Sequence, residues 1–368
     1  MTADLPAPGG RRRLLAGGPD VHPVGIGCWA IGGPDHNLGM PMGWSTADDA
    51  EALRGLEAAF GLGANLFDTA DVYGHGHSER LLGQLVRTAG RDGLVLSSKT
   101  GYFAGTAAHP YQPPAMRRQL ETTLENLGTD HLDIYFLHNS EFGADDRYLD
   151  GAIAQMLEFK EQGLVRAIGM RGPHRFAPDR LALARQERED KHARFRRLFT
   201  TIRPDCLAVR FNALTPVPGG PDSIFSFAAA HGAGVLINKP LAQGLLTGKY
   251  DAGRPPAFGP GDHRLRKAWF TPPALRIIRD GLQPLRERWG PGPAHLAPVM
   301  IAYCLAQSPE AVVLAGFTTA RQVTENLTPP ARPLTDDDIA FVRATAGAIQ
   351  QRLDAAGEVF LDEAGATA

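Results

Sequence analysis

Cysteine is scarce in this chain: Cys28, Cys206 and Cys304 are the three among 368 residues, far apart and without a CxxC pair. A disulfide-stapled secreted scaffold and a cysteine-based zinc site both need paired spacings, so neither is expected. No Cys/His group falls at metal-ligand spacing, and free thiols in a reducing compartment are the expectation. Long apolar runs are missing too, none approaching the roughly 18–20 residues of a membrane span. The opening MTADLPAPGGRRRLLAGG follows its basic triplet with only two leucines, too short for the apolar core of a secretory signal. A cytoplasmic location without membrane attachment is therefore expected. Charge of one sign is absent as well: 38 Lys+Arg against 40 Asp+Glu leave a formal net charge of −2. With no basic patch interleaved with aromatics, nucleic-acid binding is not expected. Only six of the 38 basic residues are lysine, and Ala, Gly and Pro are abundant. That bias reads as GC-rich coding, from which a bacterial source is expected.

What is present is material for a large core, 43% hydrophobic against 21% charged. Eight short apolar, β-leaning runs recur, at 24–29, 65–68, 94–99, 132–138, 165–170, 206–211, 234–238 and 312–316. Between them lie stretches of helical period at 46–62, 116–127, 149–162, 179–199, 224–231, 275–289, 296–307 and 336–353, the first with Thr46 and Asp49 placed as a capping box. Strand then helix, repeated eight times with strands apolar on both faces, predicts a single-domain (β/α)8 barrel, the TIM architecture. An open doubly wound sheet would carry a glycine-rich phosphate loop after its first strand. Here Gly25-Ile26-Gly27 lacks the third glycine and runs into Cys28-Trp29. The barrel is expected over 19–356, between frayed ends at 1–18 and 357–368. The Pro/Gly-rich segment 250–270 is expected to cross one barrel mouth. The arginine-rich stretch 180–197, balanced by acids, reads as a solvated face or a contact in a homo-oligomer.

Active sites of such barrels sit where the strands end at their C-terminal side. The second run ends in Asp68, the third in Lys99 and the fourth in His138, with Tyr73 five residues beyond Asp68. The four converge on one patch suited to proton transfer at a carbonyl or alcohol oxygen. An ammonium beside a phenol favours the phenolate, a carboxylate keeps the ammonium charged, and an imidazole positions the substrate oxygen. None is an evident covalent nucleophile.

These residues carry a resemblance. GlyIleGlyCysTrpAlaIleGlyGly at 25–33, AsnLeuPheAspThrAlaAspValTyrGly at 65–74, SerLysThr at 98–100, LeuGlyThrAspHisLeuAspIleTyrPheLeuHis at 127–138 and ProLeuAlaGlnGlyLeuLeuThrGlyLysTyr at 240–250 make the chain similar to the aldo-keto reductases over about residues 20 to 330. The resemblance implies the same barrel, an NADPH cofactor bound without a Rossmann fold, and a tetrad of Asp68, Tyr73, Lys99 and His138 with Tyr73 as general acid. It places the pyrophosphate at Pro240, Leu241, Gly244, Lys249 and Arg264. The adenosine end falls to Gly316, Thr318, Gln322, Glu325 and Asn326, and Arg321 to a 2′-phosphate, favouring NADP over NAD. Cys28, Trp29, Arg210 and Gln243 are further expected cofactor contacts.

The nicotinamide end departs from the family pattern. Met170-Arg171 stands where Ser-Asn is common, Ala208 where Gln is usual, and Asn238-Lys239 where a stacking aromatic and Ser are found. Either Arg171, Asn238 and Lys239 hold the nicotinamide by other bonds and hydride transfer continues, or the tetrad performs redox-neutral work as a lyase, isomerase or dehydratase. The reductase is the leading expectation. A non-catalytic subunit, as in the beta subunits of voltage-gated potassium channels, is opposed by the complete tetrad. His75, His77, Asn139, Arg171, His174, Arg210 and Lys239 fall at strand ends or in the loops beyond them, so a polar or anionic substrate is expected, sugar-like or a carboxylated biosynthetic intermediate.

Overall fold

The computed structural model describes residues 10–37, 39–45, 47–173, 185–215 and 223–358, with backbone alone for 185–192 and 268. Each of the eight expected runs forms a strand: β1 (Val24–Gly27), β2 (Leu66–Asp68), β3 (Val95–Thr100), β4 (Leu132–Leu137), β5 (Val165–Arg171), β6 (Cys206–Arg210), β7 (Gly234–Asn238) and β8 (Ala311–Gly316). They pair in parallel, in sequence order, into a closed barrel completed by the β8–β1 ladder. One side-chain set points inward, including Leu66, Val95, Ile134, Phe136, Leu236 and Val312. The alternate set, among them Ile26, Phe67, Leu96, Tyr135 and Ile168, packs outward under the helices. Both strand faces are thus buried, which is why the runs read as continuously apolar rather than alternating.

Residues 10–18, expected as part of a frayed end, are ordered. Arg12–Arg13 pair antiparallel with Asp20–Val21, and Leu14 and Val21 enter the inner apolar cluster. This hairpin covers side chains that would otherwise meet water at the floor of the barrel. The buried Arg12 guanidinium donates to the carbonyls of Leu305, Ser308 and Ala311. Residues 1–9 and 359–368 lie outside the described residues.

The helices follow their predicted periods, with three differences. α1 (Asp49–Gly61) is capped by Asp48, whose side chain accepts from the Glu51 N–H at 2.8 Å. Asp48, not the expected Thr46–Asp49 box, therefore starts the helix; Thr46 lies outside the described residues. α2 (His77–Ala89) was not expected, although Leu81, Leu82, Leu85 and Val86 lie buried on one face; the polar Gly-His-Gly-His start hides the signal. α3 (Pro113–Leu127), α4 (Leu149–Glu161), α5 (Arg185–Ile202) and α6 (Ile224–Ala230) follow. The run 275–289 divides into α7 (Pro272–Gly281) and α8 (Gln283–Trp289), because Pro284 has no N–H to continue the ladder. α9 (Pro293–Leu305), α10 (Ala320–Leu327) and α11 (Asp336–Ala355) complete the chain. In α5, Arg194 and Arg197 pair with Asp146, tying part of the arginine-rich face to its own barrel; 179–184 lie outside the described residues. No described helix is long and apolar enough to cross a membrane.

The segment 250–270 lies over the C-terminal mouth, as expected, and carries two 3-10 turns, His263–Arg266 and Ala268–Phe270. Asp262 anchors it. Wholly buried, its carboxylate accepts from Ser45 N and Oγ at 2.9 and 2.8 Å and from Arg264 N, Nε and Nη2 at 2.9, 2.9 and 2.7 Å. The Arg264 guanidinium is sandwiched between Trp44 and Phe258, 3.9 and 4.1 Å from their ring centroids. Backbone bonds from Asp35 and Gly43 to the Gly261 carbonyl, and from His263 to that of Gly43, fasten the cover to the segment after β1.

Two outcomes test this frame. A Cβ at Gly234 would stand 2.0 Å from the Leu14 carbonyl oxygen, so Gly234→Ala should displace the floor hairpin and cost about 1–3 kcal/mol in urea denaturation. Asp262→Ala leaves the buried Arg264 charge without its carboxylate and should cost about 3–5 kcal/mol, with proteolytic nicking concentrated within 250–270. Resistance equal to the parent protein would show that the pair does not hold the cover.

Candidate active site

The strand ends bring the four expected groups together. The Lys99 ammonium donates to Asp68 Oδ2 at 2.7 Å and to the Thr69 carbonyl at 2.5 Å, and Ser97 Oγ holds the other Asp68 oxygen at 2.6 Å. Asp68 and Lys99 are buried on adjacent strands. The ammonium also lies over the Tyr73 ring, 4.9 Å from its centroid. His138, one residue beyond β4, meets the Tyr73 ring edge-on at 5.9 Å and Tyr102 at 4.9 Å.

Tyr73 reaches this place because its loop packs backbone on backbone. Gly74, in the left-handed region at φ 62°, passes so close to Gly32 that a Cβ would lie 2.0 Å from the Gly32 carbonyl oxygen. Behind it, Thr69 Oγ1 bonds Ser78 Oγ at 2.9 Å, and Ser78 donates to the Cys28 carbonyl at 2.8 Å.

The charges are set by burial and by one another. Burial alone would lower the Lys99 pKa; Asp68 and Tyr73 reverse the sign and hold the ammonium above the ordinary lysine range. Burial pushes the Tyr73 phenol up, against the pull of Lys99, so it keeps its proton at neutral pH. Burial, with the charges of Lys99 and Arg171, holds His138 well below the usual histidine value, so its imidazole is neutral. The set is a protonated phenol, an ammonium and a neutral imidazole at one point.

One cleft runs from this point across the barrel mouth. Trp29, Arg171, Asn238, Lys239, Pro240, Leu241, Gln243, Gly244 and Lys249 line it, as do Gly316, Thr318, Arg321, Gln322, Glu325 and Asn326 at its far end. Three expected contacts are not on its wall. Cys28 is wholly buried in the core, where the tight turn after β1 turns its thiol away. Arg264 is spent on Asp262 and the two aromatic rings. Arg210 lies against Trp269, 5.4 Å from its ring centroid.

Of the expected polar pocket, Arg171 and Lys239 face the cleft. His75 and His77 line a separate depression, paired with Asp35 at 2.8 Å and Asp49 at 3.1 Å. Asn139 turns its amide onto the Gly101 carbonyl at 2.6 Å and closes a turn with Glu141 N. His174 lies outside the described residues. The cover over the mouth supplies His263, Arg266 and Lys267 instead. The sequence held that signal in the basic run HisArgLeuArgLys at 263–267, from which Arg264 alone was taken.

The cleft's donors suit an extended anionic ligand. Burial, with Arg264 behind it, brings Lys249 down to about 8, Glu325 partly offsetting. Neither amide atom of Gln243 has a hydrogen-bond partner among the described residues. Thr318 N–H is held by Gln322 Oε1 at 2.8 Å, and Asn326 donates to the Gly316 carbonyl at 3.2 Å. No group of three or more His, Cys, Asp or Glu among the described residues could hold a metal ion.

Comparison with known proteins bears on the family and the fold. The family model of the aldo/keto reductase family matches residues 23–346. The chain is 25% identical over 344 residues to the NADH-specific methylglyoxal reductase of Escherichia coli, covering 89% of this chain and 95% of that protein. It is 26% identical over 331 residues to the aldo-keto reductase str7 of Strobilurus tenacellus, covering 89% of each. A glycerol dehydrogenase structure from Gluconobacter oxydans shares the fold at a TM-score of 0.68 and 23% identity, over 91% of this chain and 94% of that one. With a closed eight-stranded barrel, the four-residue constellation at its mouth and a family match over nearly its whole length, the chain belongs to the aldo/keto reductase family of oxidoreductases.

Proposed function

We propose that the protein reduces the carbonyl of a polar or anionic small molecule with NADPH, and that Tyr73 is the general acid. The observation that carries this reading is the buried Asp68–Lys99 pair directed at the Tyr73 phenol. A bound nicotinamide supplies the hydride. The chain's own residues manage the proton. His138, neutral, donates a hydrogen bond that seats the substrate oxygen. Tyr73 gives that oxygen its proton as negative charge develops there. Lys99 then stabilises the phenolate left behind, and Asp68 keeps Lys99 charged throughout. Because its pKa is raised, Tyr73 remains a proton donor across the neutral range, and reduction weakens only as pH rises through that value.

On this reading Lys249, Gln243, Pro240, Leu241 and Gly244 hold the pyrophosphate, and Gly316, Thr318, Gln322, Glu325 and Asn326 the adenosine; all of them line the cleft. Arg321, with its side chain 80% exposed at the far end, suits a 2′-phosphate, which favours NADPH. The Escherichia coli relative is named for NADH, so titration with both nucleotides is the direct test. Arg171, Asn238 and Lys239 all line the reacting end; this supports replacement of the usual nicotinamide contacts, not their loss. A product carrying no added hydrogen, formed without oxidation of NADPH, would instead establish redox-neutral chemistry.

Two further outcomes are expected. Tyr73→Phe should lower kcat about 10²–10⁴-fold in steady-state assays while NADPH affinity stays near the parent value; full activity in that variant would remove Tyr73 from the proton's path. Lys249 must be protonated to hold phosphate, so its pKa of about 8 sets the pH response. NADPH should bind best below pH 8 and weaken by up to about tenfold per pH unit above it, read by nicotinamide fluorescence. In Lys249→Met that slope should vanish and binding be weaker at pH 7.

A further inference from the structure

His263 is a buried polar group of the cleft that neither the proton path nor the proposed cofactor contacts use. Its side chain lines the cleft, the residue is only 4% exposed, and neither ring nitrogen has a hydrogen-bond partner among the described residues. A neutral imidazole brings one donor and one acceptor, and leaving both unmet at a buried position is costly unless a ligand meets them. The ring stands edge-on to Trp29 at 4.7 Å, and Trp29 in turn lies 6.2 Å from Tyr73. The Tyr73 and His263 rings therefore border the same indole within one cleft. Lys239 is at the same indole, 5.1 Å from its ring centroid, and Arg266 and Lys267 line the cleft beside His263.

We propose that His263, together with Arg266 and Lys267, binds an oxyanion group of the substrate, a carboxylate or a phosphate, beside the Trp29 indole that Tyr73 also borders. The inference rests on the reductase reading and deepens it by naming what the substrate carries besides its carbonyl. His263 acts as a positioning residue, setting where the carbonyl lies against Tyr73. The electrostatics agree. Burial comes first, and then Lys239, Lys267, Arg266 and Arg210 hold the imidazole well below its ordinary pKa. The neighbouring Asp262 is committed to Arg264 and Ser45. An arriving anion offsets the four cations and raises the imidazole's affinity for a proton, so binding should take up protons near pH 6–7, where an ordinary histidine titrates. Lys249 and Arg321, toward the other end of the cleft, remain for the nucleotide.

The test compares aldehydes of equal length with and without the anion, at saturating NADPH. For succinic semialdehyde against butyraldehyde, and glyceraldehyde 3-phosphate against glyceraldehyde, the parent protein should favour the charged member. The pair with the larger preference tells carboxylate from phosphate. His263→Ala should raise the KM ratio of charged to uncharged substrate about 10–100-fold, and His263→Gln, which keeps a donor and an acceptor, should recover part of it. A fall of kcat/KM by the same factor for both members would mark His263 as merely structural and overturn the proposal. Calorimetric titration with succinate and with inorganic phosphate, with and without NADPH, reads the site without turnover. Binding with proton uptake that is lost in His263→Ala supports the anion site even if no aldehyde is reduced, an outcome that sinks the reductase reading alone. Equal binding to parent and variant, or to neither, overturns the anion site.

Discussion

The ion pair between Lys99 and Asp68 is the constraint around which the site is arranged. Each residue stands at the end of a barrel strand and is about 5% exposed. Two charges taken out of water at that depth are tolerated only with good geometry and with their remaining valences met. Ser97, within β3, and the Thr69 carbonyl, one residue beyond β2, meet them. The parallel register sets Asp68 opposite Ser97, and Lys99 follows two residues along the same strand, so one strand supplies both the hydroxyl and the ammonium that hold the carboxylate. Tyr73 and His138 are then brought in by short loops. The chemistry is an outcome of barrel closure: the strands carry fixed charges to a height where water is scarce, and a phenol stationed there feels the ammonium strongly.

The mouth of the barrel is organised by a second buried pair, Asp262 with Arg264. Here the arginine is structural: its charge is spent within the loop, with aromatic rings on both faces. That frees its sequence neighbours, His263, Arg266 and Lys267, to face the cleft. Together with Arg171, Lys239 and Lys249 they make the cleft cationic in a chain whose overall formal charge is −2. Net charge was silent on this, because it averages over a surface while a ligand meets the local field.

Much was readable before any fold was known. The eight strands appear at the eight apolar runs, since a parallel barrel buries both faces of every strand and leaves a continuous rather than an alternating pattern. The tetrad was readable because residues at consecutive strand ends must meet when the strands are neighbours. Where the sequence misled, packing or partner choice intervened. Leu14 looked like part of a frayed terminus because only the closed barrel has a floor to cover. Arg264 looked like a phosphate ligand because a sequence does not show that Asp262 is within reach of its guanidinium. His75, His77 and Asn139 sit at strand ends in sequence yet turn toward other partners. Cys28 lies beside Trp29 in the chain but points the opposite way.

What the sequence determined alone is the architecture and the convergence of Asp68, Tyr73, Lys99 and His138 at the barrel mouth, because both follow from period and spacing along the chain. What the tertiary structure decided is the cleft's electrostatics: which of many cations face the cleft, which are paired away, and which buried imidazole has neither nitrogen partnered among the described residues. Those depend on contacts between the cover at 250–270 and the segment after β1, some 200 residues apart, as in the bond from the Ser45 hydroxyl to the Asp262 carboxylate. No local pattern encodes a contact of that separation; it exists only once the barrel has closed and brought the two segments over the same mouth.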